Sequence, residues 1–313
     1  MTSRERVLAA INHQPCDRAP YIIDLTAEAA ANLQPLAGEQ SIGEFIDNDV
    51  LDIGVPWWQW HQLEDDWRRA LPPSSYGRVL GTGSYEGLAD RLKALRDTSD
   101  KYFLVRLYGI NFEKAYFARG FENFMADLAG EKEFARKLLR RIIERNLVMI
   151  ENFIHLPEID GVLLGSDWGC QKGLLMSLPT WDDMIRPGEQ AMFDLIRGNG
   201  KQVWVHSCGD VEQLMPRLIE MGLQVLNPIQ PECMDLEHIK VAYGDALAFW
   251  GGISTQQTLP YGTPEEVRQE ARRVRDVLGR DGGYLLSPSQ SIQGDVPVEN
   301  VLALLEVARE PLP

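Results

Sequence analysis

The sequence predicts an α/β barrel of the (βα)8 TIM type, and two patterns carry that reading. Short apolar runs alternate with longer amphipathic stretches, as parallel strands do with the helices that return between them. Polar residues also collect where the runs end: Asp24, Tyr108 with Asn111, Asp167, His206 with Cys208, Asn227 with Gln230, Ser254, and Ser287 with Gln290. In a TIM barrel such strand ends converge on one face, where these enzymes work. An open doubly wound sheet has less support, because no G-x-G-x-x-G follows the first strand.

Strands are expected at 19–25, 102–108, 161–165, 202–207, 224–227, 247–253 and 284–286. Residues from about 26 to 100 read as one βα unit plus a helical insertion after the first strand. The insertion is rich in tryptophan (Trp57, Trp58, Trp60 and Trp67) and closes with the turn-like Leu71-Pro72-Pro73-Ser74-Ser75. Phe121 to Ile154 is long enough for two helices, and Trp181 to Arg197 for one. Val211 to Met221 reads as a helix stopped by Gly222, with Asp210 and Gln213 spaced as a capping box at its start. Thr263-Pro264-Glu265-Glu266 is a stronger start, with Thr263 as N-cap, Pro264 at the first position and Glu266 closing the box. Val267, Ala271, Val274 and Leu278 then share one face. The last helix begins near Pro297 and turns Val301, Leu304, Leu305 and Ala308 inward. The whole chain, 1–313, reads as a single domain.

At 313 residues no disulfide or metal staple is needed for a sizeable core. The 46 acidic residues against 31 basic ones leave a net charge of -15, which repels phosphate backbones and anionic membranes, so nucleic acid is not an expected partner. No run reaches the length of a membrane span, and the first residues turn polar too soon for a signal peptide. Cys16, Cys170, Cys208 and Cys233 show no C-x-x-C spacing, which fits free thiols in a reducing cytoplasm. A homodimer is compatible with a barrel of this size, although nothing in the sequence marks an interface.

The stretch that carries most chemistry is His206-Ser207-Cys208-Gly209-Asp210, at the end of the β-branched run Val203 to Val205. On a strand alternate side chains share a face, so His206 and Cys208 point the same way. Imidazole and thiolate are both zinc ligands, and a helix starting at Asp210 would favour the thiolate at Cys208. The competing reading is a hydrogen-bonded core histidine beside a small buried thiol. Asp167 suits a carboxylate orienting His206 or touching substrate, and helix capping is the plainer alternative. Asp24, Tyr108, Asn111, Gln171, Asn227 and Gln230 suit hydrogen bonding to a small substrate, or equally the satisfaction of buried loops.

Several blocks, taken in order, resemble the uroporphyrinogen decarboxylase superfamily. They are Arg18-Ala19-Pro20, Arg119-Gly120-Phe121-Glu122-Asn123, Gly165-Ser166-Asp167-Trp168-Gly169, His206-Ser207-Cys208-Gly209, Asn227-Pro228-Ile229-Gln230-Pro231, Trp250-Gly251-Gly252-Ile253, Leu286-Ser287-Pro288 and Asp295-Val296-Pro297. The resemblance covers nearly the whole chain and implies a TIM barrel. True decarboxylases of the family carry an arginine-rich block after the first strand, which grips the porphyrinogen carboxylates. Here Ile22-Ile23-Asp24-Leu25-Thr26 offers no arginine, so the chain is more similar to the branch of methylcobamide:coenzyme M methyltransferases.

That branch implies zinc on His206 and Cys208 with a further cysteine after the last strand, and a methyl group moving between a corrinoid or pterin carrier and a small substrate. The third cysteine should fall near Gln290, where there is none, and glutamine is a weak zinc ligand. Glu232 could supply a carboxylate instead, Cys233 could replace the lost cysteine, or Gln290 or Ser291 could contact substrate at a catalytic site with three ligands or no metal. The chain has no D-x-H-x-x-G segment, so a corrinoid would arrive on a separate protein, with tetrahydrofolate the alternative carrier. A metal-independent decarboxylase or lyase acting on a carboxylic acid is the second reading, and a non-catalytic ligand-binding barrel the third.

Overall fold

A computed structural model describes residues 1–58 and 85–312. Trp60, Trp67 and the run 71–75 lie outside the described residues. The chain divides into two units: Met1–Leu51 with Asp100–Tyr102 and Gln224–Pro313, and Asp52–Ser99 with Phe103–Leu223.

In chain order the helices and strands are α1 (Ser3–Ile11), α2 (Ala27–Ala37), α3 (Ile42–Ile46), β1 (Val50–Asp52), α4 (Leu88–Thr98), β2 (Tyr102–Tyr108), α5 (Phe112–Arg119), α6 (Phe121–Gly130), α7 (Lys132–Glu151), β3 (Gly161–Gly165), β4 (Gly169–Cys170), β5 (Gly173–Leu174), α8 (Leu178–Thr180), α9 (Arg186–Gly198), β6 (Gln202–His206), α10 (Met215–Met221), β7 (Val225–Ile229), α11 (Leu236–Tyr243), β8 (Ala248–Ile253), α12 (Thr258–Tyr261), α13 (Pro264–Leu278), β9 (Tyr284–Pro288) and α14 (Val298–Ala308). This is the expected α/β alternation, with both helices of the stretch 121–154 in place. A π-helical turn, Trp181–Ile185, runs straight into α9. Among the described residues no helix is long and apolar enough to cross a membrane.

In the second unit β3 lies between β2 and β6, all parallel. Every residue of β3 is buried, as a continuous Gly-Val-Leu-Leu-Gly run requires of a strand covered on both faces. Register sets the site: Tyr108 pairs with Gly165, and Gly165 with His206, so the three end level with one another. The helix α7 buries Leu138, Leu139, Ile142, Ile143, Asn146 and Ile150, a stripe at helical spacing whose one polar member becomes important below.

In the first unit β7, β8 and β9 run parallel. The expected strand at 19–25 is reduced to two bridges, Tyr21 with Leu286 and Leu25 with Ile292. Pro20 has no N–H to give, but its carbonyl accepts from Leu286 N, so the segment still tracks β9. The capping box of α13 forms as expected: Glu266 N donates to Thr263 Oγ1 at 3.3 Å and Thr263 N to Glu266 Oε2 at 2.7 Å. Arg18, part of a block that resembled the family, is structural. With Arg6 it clamps the wholly buried Asp49, Arg6 Nη1 on Oδ1 and Arg18 Nη1 on Oδ2, each at 2.7 Å.

One expected start is not observed. After β6 the chain makes a 3-10 turn at Glu212–Leu214, and α10 begins only at Met215 without a side-chain cap. Asp210 Oδ1 accepts instead from Glu212 N at 3.1 Å, a local turn that competes with helix initiation. Pro216, near the start of α10, is suited to a first helical turn and so favours the later beginning. The α-helix therefore does not begin beside Cys208 as expected.

Candidate metal site

The loops that follow β3 and β6 are zipped together residue by residue. Ser166 N donates to His206 O at 3.0 Å, Trp168 N to Ser207 Oγ at 3.0 Å, Cys208 N to Asp167 Oδ1 at 2.8 Å, and Asp210 N to Cys170 O at 2.9 Å. Glycines permit this closeness. A Cβ on Gly169 would meet Cys208 O at 2.8 Å, and one on Gly209, whose φ is +84°, would run into the Cys170 backbone. Ser166 and Ser207 are fully buried, so their hydroxyls belong to the scaffold.

The zipper brings three donors of different chemistry together. Cys208 Sγ is 3.4 Å from His206 Nε2, so the two side chains do share a face, and His206 Nε2 is 3.7 Å from Asp167 Oδ1. The ligand atoms of Asp167, His206 and Cys208 all lie within 4.8 Å of one another. Zinc bonds of about 2.1 Å to nitrogen and about 2.3 Å to sulfur, opened to a tetrahedral angle, set those atoms about 3.6 Å apart. The sulfur–nitrogen pair at 3.4 Å is close to that spacing, and sulfur, nitrogen and carboxylate oxygen are a donor set that suits zinc.

Tyr108 closes one side. Its ring meets the imidazole of His206 edge-on, with centroids 5.3 Å apart and planes at 77°. Gly165 makes this possible, since a Cβ there would collide with the Tyr108 ring.

A model of the family described as "Uroporphyrinogen decarboxylase (URO-D)" matches residues 111–311, more than half of the chain. The chain belongs to the URO-D family. A solved methyltransferase from Methanosarcina mazei shares the fold of this URO-D chain at a TM-score of 0.71, with 16% identity over 98% of both chains. A D-psicose 3-epimerase solved in the presence of D-fructose is a far looser likeness, with a TM-score of 0.37 and 13% identity over 87% of this chain and 91% of its own. No curated protein matches the sequence.

The other expected site residues of this URO-D chain fall in three places. Gln171 is exposed in the turn between β4 and β5. Asn111 is wholly buried, its amide turned to Glu189 of α9. Asp24, Asn227, Gln230, Glu232 and Gln290 belong to the first unit. There Asp24 O accepts from Ile292 N at 2.8 Å and Asn227 Nδ2 donates to Trp250 O at 3.3 Å. Gln230 O caps the turn that follows, accepting from Met234 N at 3.0 Å and from the Cys233 thiol at 3.7 Å. The exposed Gln290 turns Oε1 onto Ser291 N at 3.1 Å. Glu232 holds Ser254 Oγ with Oε1 at 2.5 Å, while Oε2 is buried without a hydrogen-bond partner.

Gly165, Ser207 and Glu189 were not singled out by sequence reasoning. Glu189 left a signal, because it sits on the buried face of α9 with Met192, Phe193 and Ile196, where an acid is out of place.

Proposed function

We propose that this chain is a methyltransferase that moves a methyl group between a corrinoid or pterin carrier and a small thiol, amine or methoxylated substrate, with zinc held by Asp167, His206 and Cys208. The convergence of those three donors at the strand ends supports this most directly. Membership of the URO-D family and a fold shared with a methyltransferase agree with it.

When bound, zinc supplies Lewis acidity, which keeps a substrate thiol in its thiolate form near neutral pH. The residues around it prepare that chemistry. Cys208 N–H fixes one oxygen of Asp167, which sets the carboxylate beside the imidazole. Tyr108 holds the ring of His206 in place and keeps water from one edge. For a thiol substrate the proton leaves first to solvent; the S–CH3 bond then forms as the carrier–CH3 bond breaks, with the electron pair staying on the carrier. A corrinoid would be presented by a separate protein and tetrahydrofolate as a free carrier.

The test is the metal content of the purified protein. The expected result is about one zinc per chain, as a single mononuclear site requires, lost in Cys208→Ala and in His206→Ala. No zinc in the wild type after growth with added zinc, or full occupancy in Cys208→Ala, overturns the reading.

A further inference from the structure

Three buried polar side chains grip the turn that follows β2. Trp57 Nε1 donates to Tyr108 O at 3.1 Å, Asn146 Nδ2 donates to Ile110 O, and Asn111 Nδ2 donates to Glu189 Oε1 at 3.2 Å. Asn146 is itself held by Trp58 Nε1 at 2.9 Å.

The last of these contacts is incomplete as drawn. Asn111 is the N-cap of α5, where an asparagine oxygen ordinarily accepts from the first turn, yet it makes no such bond. Its Oδ1 is buried with no hydrogen-bond partner, and so is Glu189 Oε2. Both residues are 0% exposed. Two acceptor oxygens left bare in a core are costly unless a proton lies between them. An amide and a carboxylic acid supply one: when the N–H cis to the amide oxygen meets the acid carbonyl in a coplanar pair, the acid O–H meets the amide oxygen. Gly188 gives the pair room: a Cβ there would come within 3.2 Å of Asn111 Nδ2.

We propose that Glu189 is a neutral carboxylic acid closed with Asn111 into a two-bond ring, Asn111 Nδ2–H to Oε1 and Oε2–H to Asn111 Oδ1, and that this ring is a positioning device for the turn that sets Tyr108 against His206. The environment agrees. Burial raises the Glu189 carboxyl to about 8, and the Asn111 bond lowers it less than burial raises it. Among the described residues of α7, β6 and the π-helical turn packed around α9, no charged side chain shifts it, burial and the Asn111 bond being the two causes. Losing the proton therefore breaks one bond of the ring and leaves an unpaired charge beside the turn.

The geometry of the proposed metal site gives the ring its purpose, but the test needs neither metal nor methyl donor. Metal-free protein labelled with 13C at the tyrosine ring ε carbons is followed by NMR from pH 6 to 9, with Tyr108 assigned through Tyr108→Phe. The expected result is a step in the Tyr108 resonance centred near pH 8 in the wild type. Glu189→Gln rebuilds both bonds with an amide, so its Tyr108 signal should lack that step, whatever change the neighbouring imidazole of His206 adds to both proteins. Glu189→Leu should displace the signal at every pH; should that variant not fold, Glu189→Gln still decides. A wild-type Tyr108 signal with no step near pH 8, or a step near pH 8 that persists in Glu189→Gln, overturns the proposal. Zinc content is read separately, so either proposal can fail without the other.

Discussion

Tyr108 meets His206 edge-on at 5.3 Å because the residue paired between them, Gly165, has no side chain. A glycine at a central strand end ordinarily weakens a sheet. Here it lets an aromatic ring lean across one strand to touch the next but one.

Gly165→Ala is therefore expected to push the Tyr108 ring off His206. Overpacking of this kind costs about 1–3 kcal/mol, to be read from urea denaturation. A Tyr108→Phe control keeps the ring contact and should stay within about 1 kcal/mol of the wild type. Equal stability in Gly165→Ala and wild type would show that the ring has room elsewhere.

Asp167 does two things, accepting from Cys208 N and facing His206 Nε2. Asp167→Asn keeps an oxygen for the first and loses the charge needed for the second. Zinc affinity, measured by competition with a chromophoric chelator, should fall about 10- to 100-fold or more, with the unfolding midpoint nearly unchanged. Asp167→Ala should lose both, loosening the loop as well.

Glu189 gives a pH dependence with a definite sign. Its folded-state pKa is raised from 4.5 to about 8, so between those values the unfolded chain has released a proton that the folded chain retains. Its contribution is complete below about pH 4.5 and is lost as pH rises toward 8, at no more than about 1.4 kcal/mol per pH unit. Glu189→Gln should remove that slope. Chemical denaturation across this range checks it, and parallel wild-type and variant curves would count against a neutral acid at this position.

Asp49 is buried between Arg6 and Arg18, and Tyr21 N also donates to it at 2.9 Å. Asp49→Ala would strip Arg18 of its counterion while Arg6 keeps its pair with Asp17, so the cost should fall at the low end for a broken buried pair, about 3 kcal/mol. Thermal unfolding should fall accordingly. Zinc binding at the folded temperature should be unchanged, since the three donors belong to the other unit.

Six of the seven expected strands and the donor pair were legible because alternation and strand-end polarity act locally. His206 and Cys208 share a face by the two-residue period alone, and the box at Thr263 forms as its spacing implies. The box at Asp210 failed for an equally local reason: a short side chain caught the nearest N–H, and the helix started late. The contacts that hold the site were not legible. Nothing in the spacing of Tyr108, Gly165 and His206 says they end level, because register between strands is fixed by packing far along the chain. Asn111 reads as a polar strand-end residue, and only the packing of α9 reveals that Glu189 claims it.

All three donors come from a single unit, through two loops already laced to each other by backbone hydrogen bonds. An ion seated there would act as a local ballast, strengthening the part of the chain that carries β2, β3 and β6 by mass action. The strand ends of the other unit contribute none of those donors. Were an ion held there, substitution at Asn227, Gln230 or Gln290 would remove none of its ligands.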